Sequence, residues 1–449
     1  MTAEIPALFA AQEQSIAFEA AHERVVDASD PGTGKTRARL ESFSRRRSHG
    51  EGPLLVLCPK SVMYTAWGAD CRRYTPWLTF SLGYAANRAE AFYKKADIYI
   101  VNHDAAKWLA EQKDTFFSEF DDLVVDEGSA FKHHTSGRSK AIAKIKRFFG
   151  RRVLMNGSLT TNGVLDSWHQ VHVVDDGQRL GRSFYAFRNA VCTPKQVGPS
   201  ANMVRWEDKP DAEKVVADLI RDITIRHELK DVPENDKYVV PFQMGVAQQA
   251  KYDEMQELAV AKMRDGTLVE GINAAAVVTK LLQIASGAVY DGERNYHVVD
   301  GSRYELVMEL ADQRRHCVVF FNWQHQRDLL VEEAQKRGLT YVVIDGDTSD
   351  KRRREIVEQF QMGMYRVLLA HPQTSAHGLT LTKGTRTIWA SPTYNLDHWI
   401  QGNARIHRAG QTEVTETVNV LAENSIEEHV YAVMKAKRGK LSDLLEYLK

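Results

Sequence analysis

The chain has 449 residues, enough for two large domains, and an apolar content of 43% supplies a core for each. Lys plus Arg equal Asp plus Glu at 59 each, so no excess charge points to a partner, and a nucleic-acid surface would have to gather its cations on one face. Cys58, Cys71, Cys192 and Cys317 are too scattered for a disulfide framework or a metal site, and no membrane span or leader pattern is legible, so a soluble cytoplasmic protein with idle thiols is expected.

In chain order, Leu8 to Phe18 is expected to be helical, with Leu8, Ala11, Ser15 and Phe18 on one face. Within it Gln12 is either an ordinary exposed helical glutamine, the simpler reading, or a side-chain amide for an adenine edge. Val25-Val26 leads into Asp27-Ala28-Ser29-Asp30-Pro31-Gly32-Thr33-Gly34-Lys35-Thr36, which reads as a phosphate-binding loop. Its main-chain N–H groups converge on anionic oxygens, Gly32 and Gly34 leave room, Lys35 supplies charge, and the Thr36 hydroxyl is a candidate Mg²⁺ ligand. The strict pattern wants glycine at position 29, where this chain has Ser29.

Four apolar runs follow, each closed by polar residues. Leu54–Cys58 ends at Pro59-Lys60-Ser61, Ile98–Val101 at Asn102-His103-Asp104, Leu123–Val125 at Asp126-Glu127, and Arg152–Met155 at Asn156-Gly157-Ser158. Separated by helical-length segments, they predict an α/β domain with a mostly parallel sheet and its ligands at the carboxyl ends. An acidic pair in that place suits a Mg²⁺-holding aspartate, Asp126, beside a carboxylate, Glu127, that orients a lytic water. From Leu165 to about Leu229 the pattern turns helical, and residues 225–233 read as a connector. The expected domains are 1–230, with a helical insertion after about 165, and 231–449, with one at about 247–300 and a closing helix from about 425. The second domain repeats the α/β pattern at Cys317–Phe321, Tyr341–Ile344, Arg366–Ala370 and Thr387–Ala390. It has no phosphate loop. Its next helix is expected to carry Gln401 to Gln411, with Arg405 and Arg408 on one face.

A phosphate loop and acidic pair in one α/β domain, with paired arginines in another, is the layout of an ATPase whose site is completed by closure. These residues resemble a superfamily 2 helicase-type motor, specifically the Swi/Snf-type branch of DNA translocases in a compact form without accessory domains. The most specific piece is the Gln-x-x-x-Arg-x-His-Arg-x-Gly-Gln pattern of Gln401–Gln411. Gly157, Ser158, Asn162, Leu165 and Trp168, then Ser375–Leu379, Tyr394-Asn395, and Ile426-Glu427-Glu428 with Tyr431 match further motifs. Gly128-Ser129, Asn156, Leu159 and His377 depart from the common pattern, and none of them removes a residue of the nucleotide chemistry.

The resemblance implies two RecA-like lobes, mostly parallel sheets and a C-terminal helix. It implies ATP and Mg²⁺ as cofactors, held by Gln12, Gly32, Thr33, Gly34, Lys35, Thr36 and Asp126, with Lys35, Glu127, Arg405 and Arg408 catalytic. It implies a monomer that translocates along DNA, duplex or branched. Pro59, Lys60, Ser61, Asn102, His103, Asn322, Trp323, Ser375, Ala376, His377 and Gly378 are candidates for backbone contacts without sequence readout. The closer alternatives are a strand-separating, branch-migrating or annealing helicase, or an RNA motor, and no wedge element for strand separation is legible. A metabolic P-loop kinase or GTPase leaves Arg405 and Arg408 unexplained, and a decayed DNA-binding scaffold is at odds with a complete set of ATPase residues.

Overall fold

A computed structural model describes residues 5–198, 203–230, 232–264, 271–293, 295–375 and 379–448. It divides into two compact units, Met1–Lys230 with Lys437–Lys449, and Asp231–Ala436. The last helix, Ile426–Tyr447, therefore begins in the second unit, while its final turns belong to the first.

The first unit contains strands β1 (Arg24–Asp27), β2 (Leu54–Cys58), β3 (Phe80–Gly83), β4 (Ile98–Asn102), β5 (Asp122–Asp126), β6 (Arg151–Met155), β7 (Cys192–Gln196), β8 (Val204–Asp208) and β9 (Thr224–Ile225). Seven of them form one sheet in the order β3-β4-β2-β5-β6-β1-β9, parallel throughout. A parallel sheet is covered on both faces, and β2 accordingly is buried along its whole length. One layer of the core packs Val25, Val56 and Ile100 of the sheet against Leu40 and Phe43 of the helix Lys35–Arg47 and against Met63 and Trp67.

The insertion expected to be helical holds an antiparallel hairpin, β7–β8, between the helices Phe184–Val191 and Ala212–Ile220. β7 is exposed beyond Cys192 and β8 is mostly half-buried, so no apolar run announces the hairpin. Strands β3 and β9 were also illegible, being short edge strands at either end of the sheet.

The first helix, Ala10–Ala21, most deeply buries Gln12, Ser15, Ile16 and Glu19, a face rotated from the expected Leu8-Ala11-Ser15-Phe18 that shares Ser15 and leaves the other three half-buried. The reason is electrostatic. Glu19 pairs with Arg39, which is almost fully buried on the helix Lys35–Arg47 and lies 3.5 Å from Asp27 at the end of β1. Arg46 of the same helix reaches Asp122 at 2.7 Å and Glu51 at 2.8 Å. Burial, with the like charge of Arg46, pulls the Arg39 guanidinium down to about 9, low for arginine yet still cationic at neutral pH. The helix behind the phosphate loop is thus pinned to the first helix, β1 and β5 by charge.

The second unit has strands β10 (Asn235–Phe242), β11 (Ala288–Tyr290), β12 (Tyr296–Val298), β13 (Cys317–Phe320), β14 (Tyr341–Ile344), β15 (Val367–Ala370), β16 (Arg386–Trp389) and β17 (Thr415–Ala422). Six form a second parallel sheet in the order β10-β17-β16-β13-β15-β14. The sequence pattern missed β17 because Thr415, Thr417 and Asn419 interrupt its apolar residues. All three are buried, with Thr417 donating to Asn235 (3.1 Å) and Asn419 accepting from Trp399 Nε1 (3.1 Å). A short antiparallel hairpin, β11–β12, follows the helices Val246–Arg264 and Gly271–Ala285. The closing helix is anchored at Glu427, which takes a bidentate pair from buried Arg303 (2.8 and 2.9 Å) and accepts from Ala422 N (2.8 Å).

No helix among the described residues is long and apolar enough to cross a membrane. The four cysteines are buried free thiols, and burial raises each well above its ordinary range.

Arg39→Met is expected to destabilise the first unit by roughly 3–5 kcal/mol, because Glu19 and Asp27 lose their buried counter-charge. Urea unfolding followed by tryptophan fluorescence reads this as a lowered midpoint. An unchanged midpoint would mean the charges are solvated in solution.

Candidate functional site

Because every strand of the first sheet runs the same way, the segments leaving β1, β2, β4, β5 and β6 share one edge. The phosphate loop leaves β1 and is tied down from two sides. Ala28 N and Asp30 N donate to Ile225 O and His227 O (2.9 Å each), and Arg226 reaches Ala28 O and Asp30 Oδ1 (3.0 Å each). Residues 225–229, expected as a connector, thus line the loop. Ser29, the departure from the glycine pattern, is fully buried, and its hydroxyl accepts from His227 N at 3.0 Å. Serine is therefore accommodated by a specific partner.

Gly32 and Gly34 adopt φ of 91° and 82°, in the left-handed region that disfavours other residues. Gly34 is the N-cap of the helix Lys35–Arg47, so the first N–H groups of that helix open toward the loop. Thr33 Oγ1 donates to Asp30 O (2.9 Å), while the Lys35 ammonium lies within the loop, donating to Ser29 O (2.6 Å) and Asp30 O (3.1 Å). Thr36 is partly buried at the start of the same helix. Gly157, leaving β6, sits against the loop so closely that a Cβ there would lie 2.9 Å from Ser29 O.

Gln12 is 2% exposed, so the ordinary exposed glutamine is excluded. Its Oε1 accepts from Phe9 N (2.9 Å) and its Nε2 donates to Gly34 O (3.2 Å), bracing the N-terminal segment against the loop glycine.

The acidic pair ends β5. Asp126 Oδ2 accepts from Trp67 Nε1 (2.9 Å) and Oδ1 from Glu127 N (3.0 Å). Trp67 lies in a π-helical turn, Met63–Gly68, and nothing in the sequence pointed its N–H at the aspartate. Burial, then the like charge of Glu127, push the Asp126 carboxyl up to about 7, while the Lys35 charge opposes the shift. Glu127 holds φ 53° and ψ 61°, a left-handed conformation uncommon for glutamate. A carboxylate pair that resists its own charge is suited to a divalent cation. Among the described residues no group of three or more His, Cys, Asp or Glu is placed to hold a metal.

The loop candidates fall in different environments. Lys60 is exposed, Ser61 partly so, and Pro59 is buried. Asn102 is half-buried and accepts from Arg88 (3.1 Å). His103, expected at a nucleic-acid surface, is only 7% exposed, and its Nε2 meets Asp126 O at 2.7 Å.

In the second unit, the helix expected across Gln401–Gln411 ends at Asn403, and Arg405 and Arg408 lie in the turns beyond it. They share no helical face but converge on one carbonyl, Leu379 O, at 3.2 and 3.0 Å. Arg405 is 5% exposed and also donates to Gln401 O (2.7 Å) and Oε1 (2.6 Å), whereas Arg408 is half-exposed. Other side chains of the motif brace the unit internally. Asn403 accepts from Trp389 Nε1 (3.1 Å), His407 meets Pro233 O (3.0 Å), and Gln411 Nε2 serves the carbonyls of Thr382, Gly384 and Ile406. Asn322 and Trp323 border a cleft of about 470 Å³ with Val278, Leu282, Pro392 and Tyr394. Ser375 ends the short helix Pro372–Ser375, and Ala376, His377 and Gly378 lie outside the described residues.

Comparison with known proteins matches residues 16–286 to the SNF2-related domain and residues 302–410 to the helicase conserved C-terminal domain. The chain belongs to the SNF2-related family. With the helicase C-terminal match, this makes it an ATPase of the helicase type. Protein p41 of Acyrthosiphon pisum secondary endosymbiont phage 1 is 26% identical, with 93% of each chain covered. An ATP-dependent helicase of Mycoplasma pneumoniae is 22% identical over 93% of this chain and 40% of its own length. The chain thus spans the length of the phage relative but about two-fifths of the mycoplasmal one. The Sulfolobus solfataricus SWI2/SNF2 ATPase core in complex with dsDNA is 21% identical, covers 99% of this chain and 95% of its own, and has a TM-score of 0.45. Against the SNF2-related pattern, Asn156 closes its own turn, accepting from Ser158 N (3.0 Å) and donating to Gln170 (2.6 Å), and Leu159 is fully buried.

The raised Asp126 carboxyl sets a pH test. Above 3.8 the unfolded chain releases this proton while the folded one keeps it until about 7, so stability is lost across that window as pH rises. Asp126→Asn should melt above wild type at pH 8, with the difference shrinking toward pH 5, while ATP turnover is lost. A variant that melts below wild type at pH 8 would show that the carboxylate is stabilised rather than strained.

Proposed function

We propose that this SNF2-related ATPase moves along duplex DNA. The observation that supports this best is the alignment of the phosphate loop, the Asp126-Glu127 pair, and the polar loops Pro59–Ser61 and Asn102 on one edge of one parallel sheet. Nucleotide chemistry and backbone-contacting groups on neighbouring strands are what coupling between hydrolysis and movement requires. The short polar groups suit phosphate contact and not base readout.

ATP is the substrate. Lys35, freed from Ser29 O and Asp30 O, contacts its outer phosphates together with the loop N–H groups. Glu127 orients water toward the γ-phosphorus; the bond from that phosphorus to the bridging oxygen breaks as the water oxygen joins it, giving ADP and phosphate. Thr36 and Asp126, together with the substrate phosphates, would hold Mg²⁺, which would supply charge neutralisation there. Of the two arginines, Arg408 is the one we assign to the transferring phosphoryl group. Arg405 has its guanidinium committed to Gln401 and Leu379 and acts as scaffold.

The hairpin β7–β8 favours a second reading. It stands outside the main sheet and exposes most of β7, as an element that parts strands would.

ATPase stimulation should be greater with duplex than with single-stranded DNA or RNA, and should fall as salt rises, since phosphate contacts exchange with counterions. Stimulation by single strands alone, with unwinding of a forked duplex, would instead select the strand-separating reading. Arg408→Lys should lower turnover by at least ~10²-fold, about what one preorganised donor contributes, with little change in ATP-analogue affinity. Weak analogue binding with normal turnover at saturation would remove Arg408 from the phosphoryl site.

A further inference from the structure

We propose that His103 is a positioning residue for Glu127, and that through it the state of the acidic pair is tied to the two polar loops beside it. The inference rests on reading Glu127 as the carboxylate that orients the attacking water. The peptide joining Asp126 to Glu127 is held at both edges. Its carbonyl oxygen accepts from His103 Nε2 at 2.7 Å, which fixes the proton on that nitrogen, and its N–H donates to Asp126 Oδ1 at 3.0 Å. This peptide plane is the one whose rotation sets φ of Glu127, and φ there is 53°, in the region disfavoured for a residue with a Cβ. Such a conformation persists only where its surroundings over-determine it. The histidine supplies the hold on the carbonyl side, and without it the plane can turn and carry the Glu127 carboxylate away.

His103 is itself well anchored. Its ring is 7% exposed and packs edge-on against Phe131 at 5.2 Å, with the planes at 81°. Its main-chain N–H donates to Cys58 O (3.1 Å), the last residue of β2, directly before Pro59-Lys60-Ser61. Asn102 precedes it, and Asp104, paired with Arg138 at 2.7 Å, follows. One residue therefore contacts the acidic pair through its side chain and the β2 exit through its backbone. A displacement of either polar loop reaches the Asp126–Glu127 peptide through the hydrogen bond from His103 Nε2 to Asp126 O.

The test compares His103→Leu, which fills the space without a donor, and His103→Gln, whose amide N–H can reach the same carbonyl. Turnover and KM for ATP are measured without and with saturating duplex DNA, together with the affinity for a non-hydrolysable ATP analogue and the thermal midpoint. The Leu variant should lose about 10–100-fold in basal turnover, the range for a residue that orients a reacting group, with analogue affinity within about threefold of wild type. The Gln variant should recover most of that loss, and stimulation by DNA should fail in Leu and return in Gln. Wild-type turnover in the Leu variant would overturn the proposal. So would a Gln variant no better than Leu in a protein that melts normally, or an equal loss of analogue affinity and turnover. Should the Leu variant not fold, His103→Asn replaces it, since that shorter amide falls short of the carbonyl; Asn matching Gln would then sink the proposal. If DNA fails to stimulate the wild type, the translocase reading falls, and the basal rates still decide the part played by His103.

Discussion

A strand buried on both faces can place its chemistry only where it stops being a strand. In the first unit that constraint acts on β1, β2, β4, β5 and β6 together, because all run in one direction and lie side by side. The phosphate loop, the acidic pair, Gly157 and the two polar loops are neighbours for that reason alone. Gly157 shows how tight the result is, since its missing side chain lets the β6 exit lie against Ser29 O.

Precision at that edge comes from polar groups that the strands do not supply. Arg226, His227 and Gln12 fasten the phosphate loop from segments far away in sequence, and Trp67 and His103 hold the acidic pair. Most of these groups are partly or wholly buried, where an unmet donor or acceptor is costly, so the partners are bound to their places. The raised Asp126 carboxyl and the left-handed Glu127 are the strain that such a scaffold sustains.

The second unit uses the same economy differently. The segment Gln401–Gln411, the most distinctive in the chain, is mostly internal bracing: Gln401, Asn403, Arg405, His407 and Gln411 all spend their side chains on carbonyls or side chains of their own unit. A sequence signature of this kind marks the folding of a turn as much as the chemistry performed there. Arg408, less buried than Arg405, is the member with most to offer a substrate.

Length and the apolar runs were sufficient to determine two α/β units and their parallel sheets, because burial on both faces forces continuous apolar strands. The sequence did not disclose β17, whose buried Thr415, Thr417 and Asn419 break the apolar rule that identifies such strands, nor the hairpin β7–β8, which buries too little to leave a pattern. The inward turn of Gln12, His103 and Arg405 was equally hidden. A polar side chain looks the same in sequence whether it meets solvent or a carbonyl distant along the chain, and only the tertiary structure brings Gly34 O, Asp126 O and Leu379 O within reach of these three.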